Sequence, residues 1–281
     1  MEPTKVANSF RIRASATADI MAGEIGLTEV QIARMIELSE REKPGAKPLT
    51  ENMKIELSKL KMKHSFPELP QGAKTYCKKW LKEFLYGRHE ELKNKYVKKG
   101  NACEEDGFTL MATELNLGMV YKNTERKIAE FTEGECDLYH NKIIYDNKSS
   151  WSLDTFPMFE STNTNNAYWW QLQTYASLWV SEKLVLCYTL NNATIDLVDQ
   201  ALKWEENHDE KYKIAERMIF TKDFFDAIKL SHFPDSTLST FIEIPDHKRI
   251  KSFEFLPDQD LFNDIKIRVQ MCREYIITLL K

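Results

Sequence analysis

The stretch GECDLYHNKIIYDNKSS, Gly134 to Ser150, decides the fold of this chain. Apolar and polar residues alternate with period two, break at His140-Asn141-Lys142, and then alternate again, which is the pattern of a β-hairpin. A turn centred on Asn141-Lys142, where asparagine tolerates positive φ, sets Asp137 directly opposite Asp146. Lys148 then projects on the same face as Asp146, with Glu135 as its cross-strand neighbour and a salt-bridge partner or spare ligand. Like charges directly opposite destabilise a sheet, and a hard divalent cation is the usual compensation. The tripeptide D-x-K is common, however, and alone it fits a solvent-facing strand with scattered charges.

Length and composition bound the alternatives. The 281 residues suit one large domain or two small ones, and 42% hydrophobic with 29% charged residues supports a sizeable core. No run of about 18 apolar residues occurs, so neither a transmembrane helix nor a membrane partner is expected. The start, MEPTKVANSFRIR, has no apolar signal core, so a cytoplasmic protein is expected. The five cysteines are widely spaced without a C-x-x-C pair, which argues against structural zinc or an iron–sulphur cluster, and their odd number argues against a disulfide framework. No glycine-rich phosphate loop and no H-x-x-x-H spacing is present. A net charge of −4 does not advertise a nucleic-acid binder. Lysines nevertheless gather in YCKKWLK (Tyr76 to Lys82) and KNKYVKKG (Lys93 to Gly100), either as a solvated helix face or as a patch tracking phosphates through Lys93, Lys95, Lys98 and Lys99.

Working outward from the hairpin, the preceding chain reads as helical. Ser15 is placed to cap the helix SATADIMAG, LTEVQIARMIELSERE has apolar residues at helical spacing after Thr28, and Thr50 is placed to cap the helix LTENMKIELSKLKMKH. A long helical stretch follows from Lys74, with Gly87 as a break, and continues through NACEEDGFTLMATELNLG with Gly107 inside it. MVYKN (Met119 to Asn123) is expected as a strand, which with the hairpin makes a three-stranded meander. After a Ser/Thr/Asn-rich stretch, AYWWQLQTYASLWVSE is a strong helix and KLVLCYTLNN a buried strand. The remainder is mainly helical, including DQALKWEENHDEKYKIAERMIF, with one strand, RIKSFEFL, before a terminal helix from Asp258. The expected fold class is α+β, or mixed α/β, with helices on a small sheet. One domain is expected, with a helical part over 1–99, a core over 100–190 and a mainly helical part over 191–281.

In order, these residues resemble the PD-(D/E)XK nuclease superfamily, and within it the phage exonucleases of the lambda-exonuclease and RecB type. Asp137 with Asp146-Asn147-Lys148 matches the core motif, although Cys136 stands where a proline is common. GNACE (Gly100 to Glu104) is similar to the G-x-x-x-E of the preceding helix, and QLQTY (Gln171 to Tyr175) to the Q-x-Q and Q-x-x-x-Y that follow the hairpin. RIRASATADIM (Arg11 to Met21) resembles the segment whose arginine and serine line a 5′-phosphate pocket. The resemblance spans residues 11–190. It implies a restriction-endonuclease-like core, a small mixed sheet flanked by helices.

The resemblance implies metal-dependent phosphodiester hydrolysis. Asp137, Asp146 and Glu104, with the carbonyl of Asn147, are the expected ligands of Mg²⁺, with Mn²⁺ as the alternative. Glu105 and Glu114 are the competing helical acids, and Glu104 is favoured by its spacing from Gly100. Lys148 is expected to position or deprotonate the attacking water and stabilise developing charge. Gln171 and Tyr175, at i and i+4 on one helix face, are expected to orient Lys148 and touch the DNA backbone, while Tyr175 also fits the core stripe Tyr168, Leu172, Tyr175, Trp179. Arg11, Arg13 and Ser15 are the expected contacts to a 5′-phosphate. The implied activity is exonuclease digestion of duplex ends in phage DNA recombination or processing, with DNA, a single-strand annealing protein and further copies of the chain as partners. The alternatives are an endonuclease or structure-specific nuclease on the same core, and a nucleic-acid-binding module without activity.

Overall fold

The computed structural model describes residues 2–65, 67–89, 95–203, 205–232 and 241–281. In chain order come α1 (Pro3–Asn8), β1 (Ile12–Arg13), α2 (Thr17–Met21), α3 (Glu29–Glu40), α4 (Glu51–Ser65), α5 (Gln71–Tyr86), α6 (Lys95–Ala102) and α7 (Glu104–Glu114). The strands β2 (Lys127–Ile128), β3 (Thr132–Gly134), β4 (Leu138–His140) and β5 (Ile143–Ser149) follow, then α8 (Asn166–Leu178) and β6 (Lys183–Thr189). Last are α9 (Ile195–Leu202), α10 (His208–Glu216), α11 (Lys222–His232), β7 (Ile250–Phe255) and α12 (Gln259–Leu279). The chain packs as two compact units, Met1–His89 with Glu130–Thr132 and Gln259–Lys281, and Glu90–Ala129 with Glu133–Asp258. Among the described residues no helix is long and apolar enough to cross a membrane. All five cysteines are buried and unbridged.

In the first unit the expected cap at Thr50 holds, that at Ser15 does not, and a further cap stands at Thr28. Thr28 and Gln31 form a reciprocal capping box at the start of α3, each side chain accepting from the other's backbone N–H at 3.2 Å. The Thr50 hydroxyl accepts from the backbone N–H of Met53 at 3.3 Å. Gly87, at φ 62°, ends α5 in the left-handed region. Ser15 does not cap a helix. It lies exposed inside a 3₁₀ turn, Ala14–Ala16, and α2 begins only at Thr17. The long helix α12 binds the unit together through two buried arginines. Arg268 donates to the carbonyls of Ile20 and Gly23, and Arg273 to those of Phe10 and Glu130. Guanidinium suits this task because its planar fork satisfies several acceptors and is weakly hydrated.

The second unit is built on the sheet β4-β5-β6-β7. The hairpin has the register read from its turn: Leu138 pairs with Tyr145, Tyr139 with Ile144 and His140 with Ile143. Asn141 and Lys142 both have positive φ, 49° and 61°, the mirror-image turn whose twist matches the strands it joins. β6 lies parallel to β5, reached through α8, and β7 adds antiparallel on the far side of β6. The expected meander does not form. MVYKN is loop, with Met119 and Tyr121 exposed, and the short strand falls later, at Lys127–Ile128. Asn123 explains part of this: its side chain and backbone bond the hairpin's entrance instead of a ladder partner. The helix expected over Asp199 to Phe220 is two, α9 and α10, with the chain between them non-helical from Glu205 to Asn207. With α11 they enclose a core of Val198, Leu202, Met218, Ile219 and Phe225.

Alternation on β5 separates two environments. Tyr145 faces α7 and packs with Met111, Leu138, Val185 and Cys187. Asp146 and Lys148 project to the opposite face, where the Tyr168 ring of α8 lies 5.1 Å from the Lys148 ammonium. Asn165 starts α8 by accepting from the N–H groups of Ala167 and Tyr168.

Candidate active site

Asp137 stands one residue before β4, where the hairpin register carries it opposite Asp146. Its backbone carbonyl accepts from Asn123 N–H at 2.7 Å, and the Asn123 amide donates to the carbonyl of Cys136 at 2.9 Å. Asp137 Oδ2 accepts from the backbone N–H of Asn147 at 2.7 Å, which ties it across to the strand of Asp146. Asp146 is 1% exposed. Lys148 Nζ lies 2.5 Å from Asp146 Oδ2 without hydrogen-bond alignment, so that buried oxygen has no hydrogen-bonded donor. Burial first, and the Asp146 charge second, push the Asp137 carboxyl up to about 6, against the pull of Lys148 and the Asn147 N–H. Burial opposes charge on Lys148, but attraction to Asp146 and then Asp137 outweighs it and raises its pKa.

Two crowded carboxylates, one with an unbonded buried oxygen, are a donor set that accepts a hard cation. Mg²⁺ in particular is commonly held by one or two carboxylates with its remaining ligands water, so Asp137 and Asp146 suffice in kind. Glu104 does not join them. It is an exposed residue in the first turn of α7, where Glu104, Glu105 and Asp106 together complement the helix dipole. Its carboxylate pairs with Lys122 at 2.5 Å, and it acts on Asp137 only as a weak further charge. Among the described residues no three His, Cys, Asp or Glu side chains stand together as a metal cluster. Glu105 is exposed and Glu114 half-buried at the end of α7. Glu135 is exposed between β3 and β4, outside the ladder, and so does not oppose Lys148.

Gln171 and Tyr175 share one face of α8, as their spacing required, and the Gln171 amide donates to the Tyr175 hydroxyl at 2.8 Å. Tyr175 is buried beside Leu172 and Trp179, so a contact from it to DNA is not available and its place is the core stripe. Burial, then the Asp146 charge, raises its pKa. Asn147 turns its side chain to the α7 face, where its Oδ1 accepts from the Thr189 hydroxyl at 3.0 Å. Arg11 is half-buried with a bond to the Ser9 carbonyl, while Arg13 and Ser15 are exposed, all three in the first unit. Of the lysine patch, Lys93 lies outside the described residues, Lys95 opens α6 and Lys98 is exposed. Lys99 is buried, because α6 turns it inward against the end of β5, so it cannot track a phosphate backbone at the surface.

Three contributors escaped the sequence reading. Lys122 and Asn123 lie in the stretch taken for a strand, and no local signal marks them. Tyr168 was assigned to the core stripe, yet it is only half-buried and faces Lys148. Its position one turn before Leu172, at the helix's first turn, is the one hint that it sits at an edge. A cavity of about 450 Å³ opens beside Lys148, lined also by Lys99, Trp151, Phe156, Tyr168 and Tyr188.

No protein family profile and no curated protein matches the chain. Solved structures do. A phage-related exonuclease from Haemophilus somnus 129PT is 24% identical with a TM-score of 0.64, over 96% of this chain and 95% of that one. The alkaline exonuclease LHK-Exo of Laribacter hongkongensis is 11% identical with a TM-score of 0.52, over 100% of this chain and 96% of that one. A structure of LHK-Exo in complex with dAMP gives 11% identity and a TM-score of 0.51, over 100% and 94%. The likeness therefore runs through the residues beyond 190, which resembled nothing by motif. In fold, the chain is similar to these exonucleases.

Proposed function

We propose that this protein is a metal-dependent DNA exonuclease that hydrolyses phosphodiester bonds from duplex ends. The observation that carries the reading is the facing pair Asp137 and Asp146, with Lys148 on the same strand face, in a chain with an exonuclease fold. The names of its structural neighbours, two exonucleases, one of them with a bound deoxynucleotide, agree with DNA as substrate.

Asp137 and Asp146 are the residues that would hold Mg²⁺ or Mn²⁺. A bound divalent ion supplies a water of lowered pKa and neutralises charge on the phosphate oxygens. Lys148 lines the cavity, and its amine would meet the attacking water or the negative charge that develops on the phosphate. The Tyr168 ring and Asp146 fix the direction of that amine from two sides. The Asn147 N–H fixes Asp137, and Gln171 donates to Tyr175, which lies close enough to feel the Asp146 charge. Glu104 joins the ligand set only by releasing Lys122.

End recognition belongs to the same reading. Arg11, Arg13 and Ser15 are the candidates for a 5′-phosphate contact, with the arginines as charge-assisted donors and the serine as a hydroxyl donor. Ser15 opens no helix, so the contact is made by side chains. Phage DNA recombination or processing is the setting proposed, with a single-strand annealing protein as partner and assembly with further copies of the chain.

The test is incubation of end-labelled linear and closed circular duplexes with Mg²⁺, with and without a chelator, using 5′-phosphate and 5′-hydroxyl ends. Chelator-sensitive loss of label from linear DNA alone is expected, several-fold faster from phosphorylated ends, and Arg13→Ala should erase that preference. Cleavage of closed circles would move the assignment to an endonuclease. No cleavage of either would leave a binding module.

A further inference from the structure

Lys99 is a lysine buried without a carboxylate. Its side chain is 1% exposed, and among the described residues no acid pairs with it. Its ammonium donates to the carbonyls of Ser150 at 3.0 Å and Trp151 at 2.7 Å. The rings of Phe220 and Trp151 lie 5.2 and 5.9 Å from it. An ammonium taken from water without an opposite charge costs several kcal/mol, and lysine is more strongly hydrated than the arginines that hold the first unit. Two other loops of the second unit are held by neutral amides, Asn123 at the entrance of the hairpin and Asn192 accepting from the N–H groups of Phe220 and Thr221, while Arg249, which donates to the Leu190 carbonyl, has Asp246 as its counter-charge. At the end of the strand that carries Asp146 and Lys148 the holding group is the costlier ammonium, with no carboxylate beside it among the described residues.

The geometry there is a two-sided grip. Ser150 N–H donates to the carbonyl of Thr189 on β6 at 2.8 Å, while its carbonyl is taken by Lys99. Trp151 is held next, and Ser152 then starts the 3₁₀ turn Leu153–Thr155, part of the cavity wall. Lys148 lies two residues before the grip and on the same cavity.

We propose that Lys99 is a positioning residue for phosphodiester cleavage: by holding the Ser150 and Trp151 carbonyls it fixes where β5 ends and so where Lys148 stands against the reacting phosphate. The inference rests on the nuclease reading. Burial pushes Lys99 down to about 8, so at neutral pH it remains largely an ammonium, and its two bonds are charge-assisted. Both hydrogen bonds of Lys99 go to backbone carbonyls. Its effect is on alignment, where a displacement of about 1 Å costs up to about a hundredfold in rate.

The test compares Lys99→Met and Lys99→Gln with the wild type in kcat and KM on linear duplex DNA, in Mn²⁺ affinity by calorimetry and in thermal unfolding. Lys99→Met should lower kcat at least about tenfold with KM within about twofold and Mn²⁺ affinity unchanged. Lys99→Gln retains an N–H donor and should recover part of that loss. Wild-type kcat in Lys99→Met, whatever its Tm, would overturn the proposal, as would a Gln variant no better than Met. If Lys99→Met does not fold, Lys99→Gln alone decides, since a reduced kcat at unchanged KM supports the role and a wild-type kcat ends it. A wild-type protein that does not cleave DNA sinks the nuclease reading and this role together, whereas an active wild type with indifferent Lys99 variants sinks this role alone.

Discussion

The two faces of β5 differ in kind, although their residues alternate along one strand. On the α7 face, Asn147, Ser149, Thr189 and Asn191 form a neutral network in which amides and hydroxyls satisfy one another. α7 approaches so closely that a Cβ at Gly107 would clash with Asn147 Nδ2 and come within 2.8 Å of Asn191 Nδ2 and Thr189 Oγ1. On the other face, Asp146 is buried with Asp137 crowded against it, and the compensation comes from the Lys148 ammonium and the Asn147 N–H. One face is satisfied at rest and holds the strand. The other concentrates charge that burial makes costly, which raises the Asp137 carboxyl to about 6.

The sharpest way to break this contrast is to neutralise the charged face. Asp146→Asn keeps the size but removes an anionic ligand, so cleavage should fall by about a thousandfold or more, with Mn²⁺ affinity in calorimetry falling alongside. Lys148→Ala should lose a comparable rate while leaving Mn²⁺ binding largely intact. Undiminished cleavage by Asp146→Asn would refute the division into a chemical and a structural face.

A smaller effect is expected where the strand ends. Lys99 titrates at about 8 in the folded protein against an ordinary value of 10.5. Between those values the unfolded chain binds more protons than the folded one, so stability rises with pH across that window. Relative to Lys99→Met, the wild type should gain up to about 3 kcal/mol between pH 7 and pH 10.5. Urea titrations of both proteins across that range check it, and parallel pH profiles would show that the ammonium is not buried as described.

The smallest effect tests the neutral face. Gly107→Ala gains helix propensity of about 1 kcal/mol but must displace the amide network, for a net loss of about 1–2 kcal/mol. Thermal unfolding should show a Tm lower by several degrees. Mn²⁺ affinity should hold, because the network touches the Asn147 side chain and not the carboxylates. A loss of metal binding here would mean that the two faces are coupled.

What was legible in the sequence follows the range of the forces involved. The hairpin register depends on one local turn, Asn141-Lys142, and it placed Asp137 against Asp146 correctly. The Thr50 cap is likewise local. Residues whose place depends on distant partners were not legible. Glu104 is drawn to Lys122 across a loop that looked like a strand, because Val120 and Tyr121 suit strands and nothing nearby announces the Asn123 bonds. Lys99 reads as one more lysine in a basic run, and only the carbonyls at Ser150 and Trp151 decide that it points inward. Ser15 had the right chemistry for a cap but sits in a 3₁₀ turn, a difference of two residues that composition cannot resolve.

The positive φ angles at Asn141 and Lys142 have a consequence for how such a site is inherited or lost. A strand is a two-beat rhythm, and this turn sets the phase. One inserted residue would leave every motif residue in the sequence, still spelling D…D-x-K, while rotating one strand half a period against the other. Asp137 would then face the apolar side of the sheet and the pair would dissolve. A homologous chain that keeps the letters but lengthens the turn by one should therefore be silent as an enzyme, and a second insertion should restore the beat.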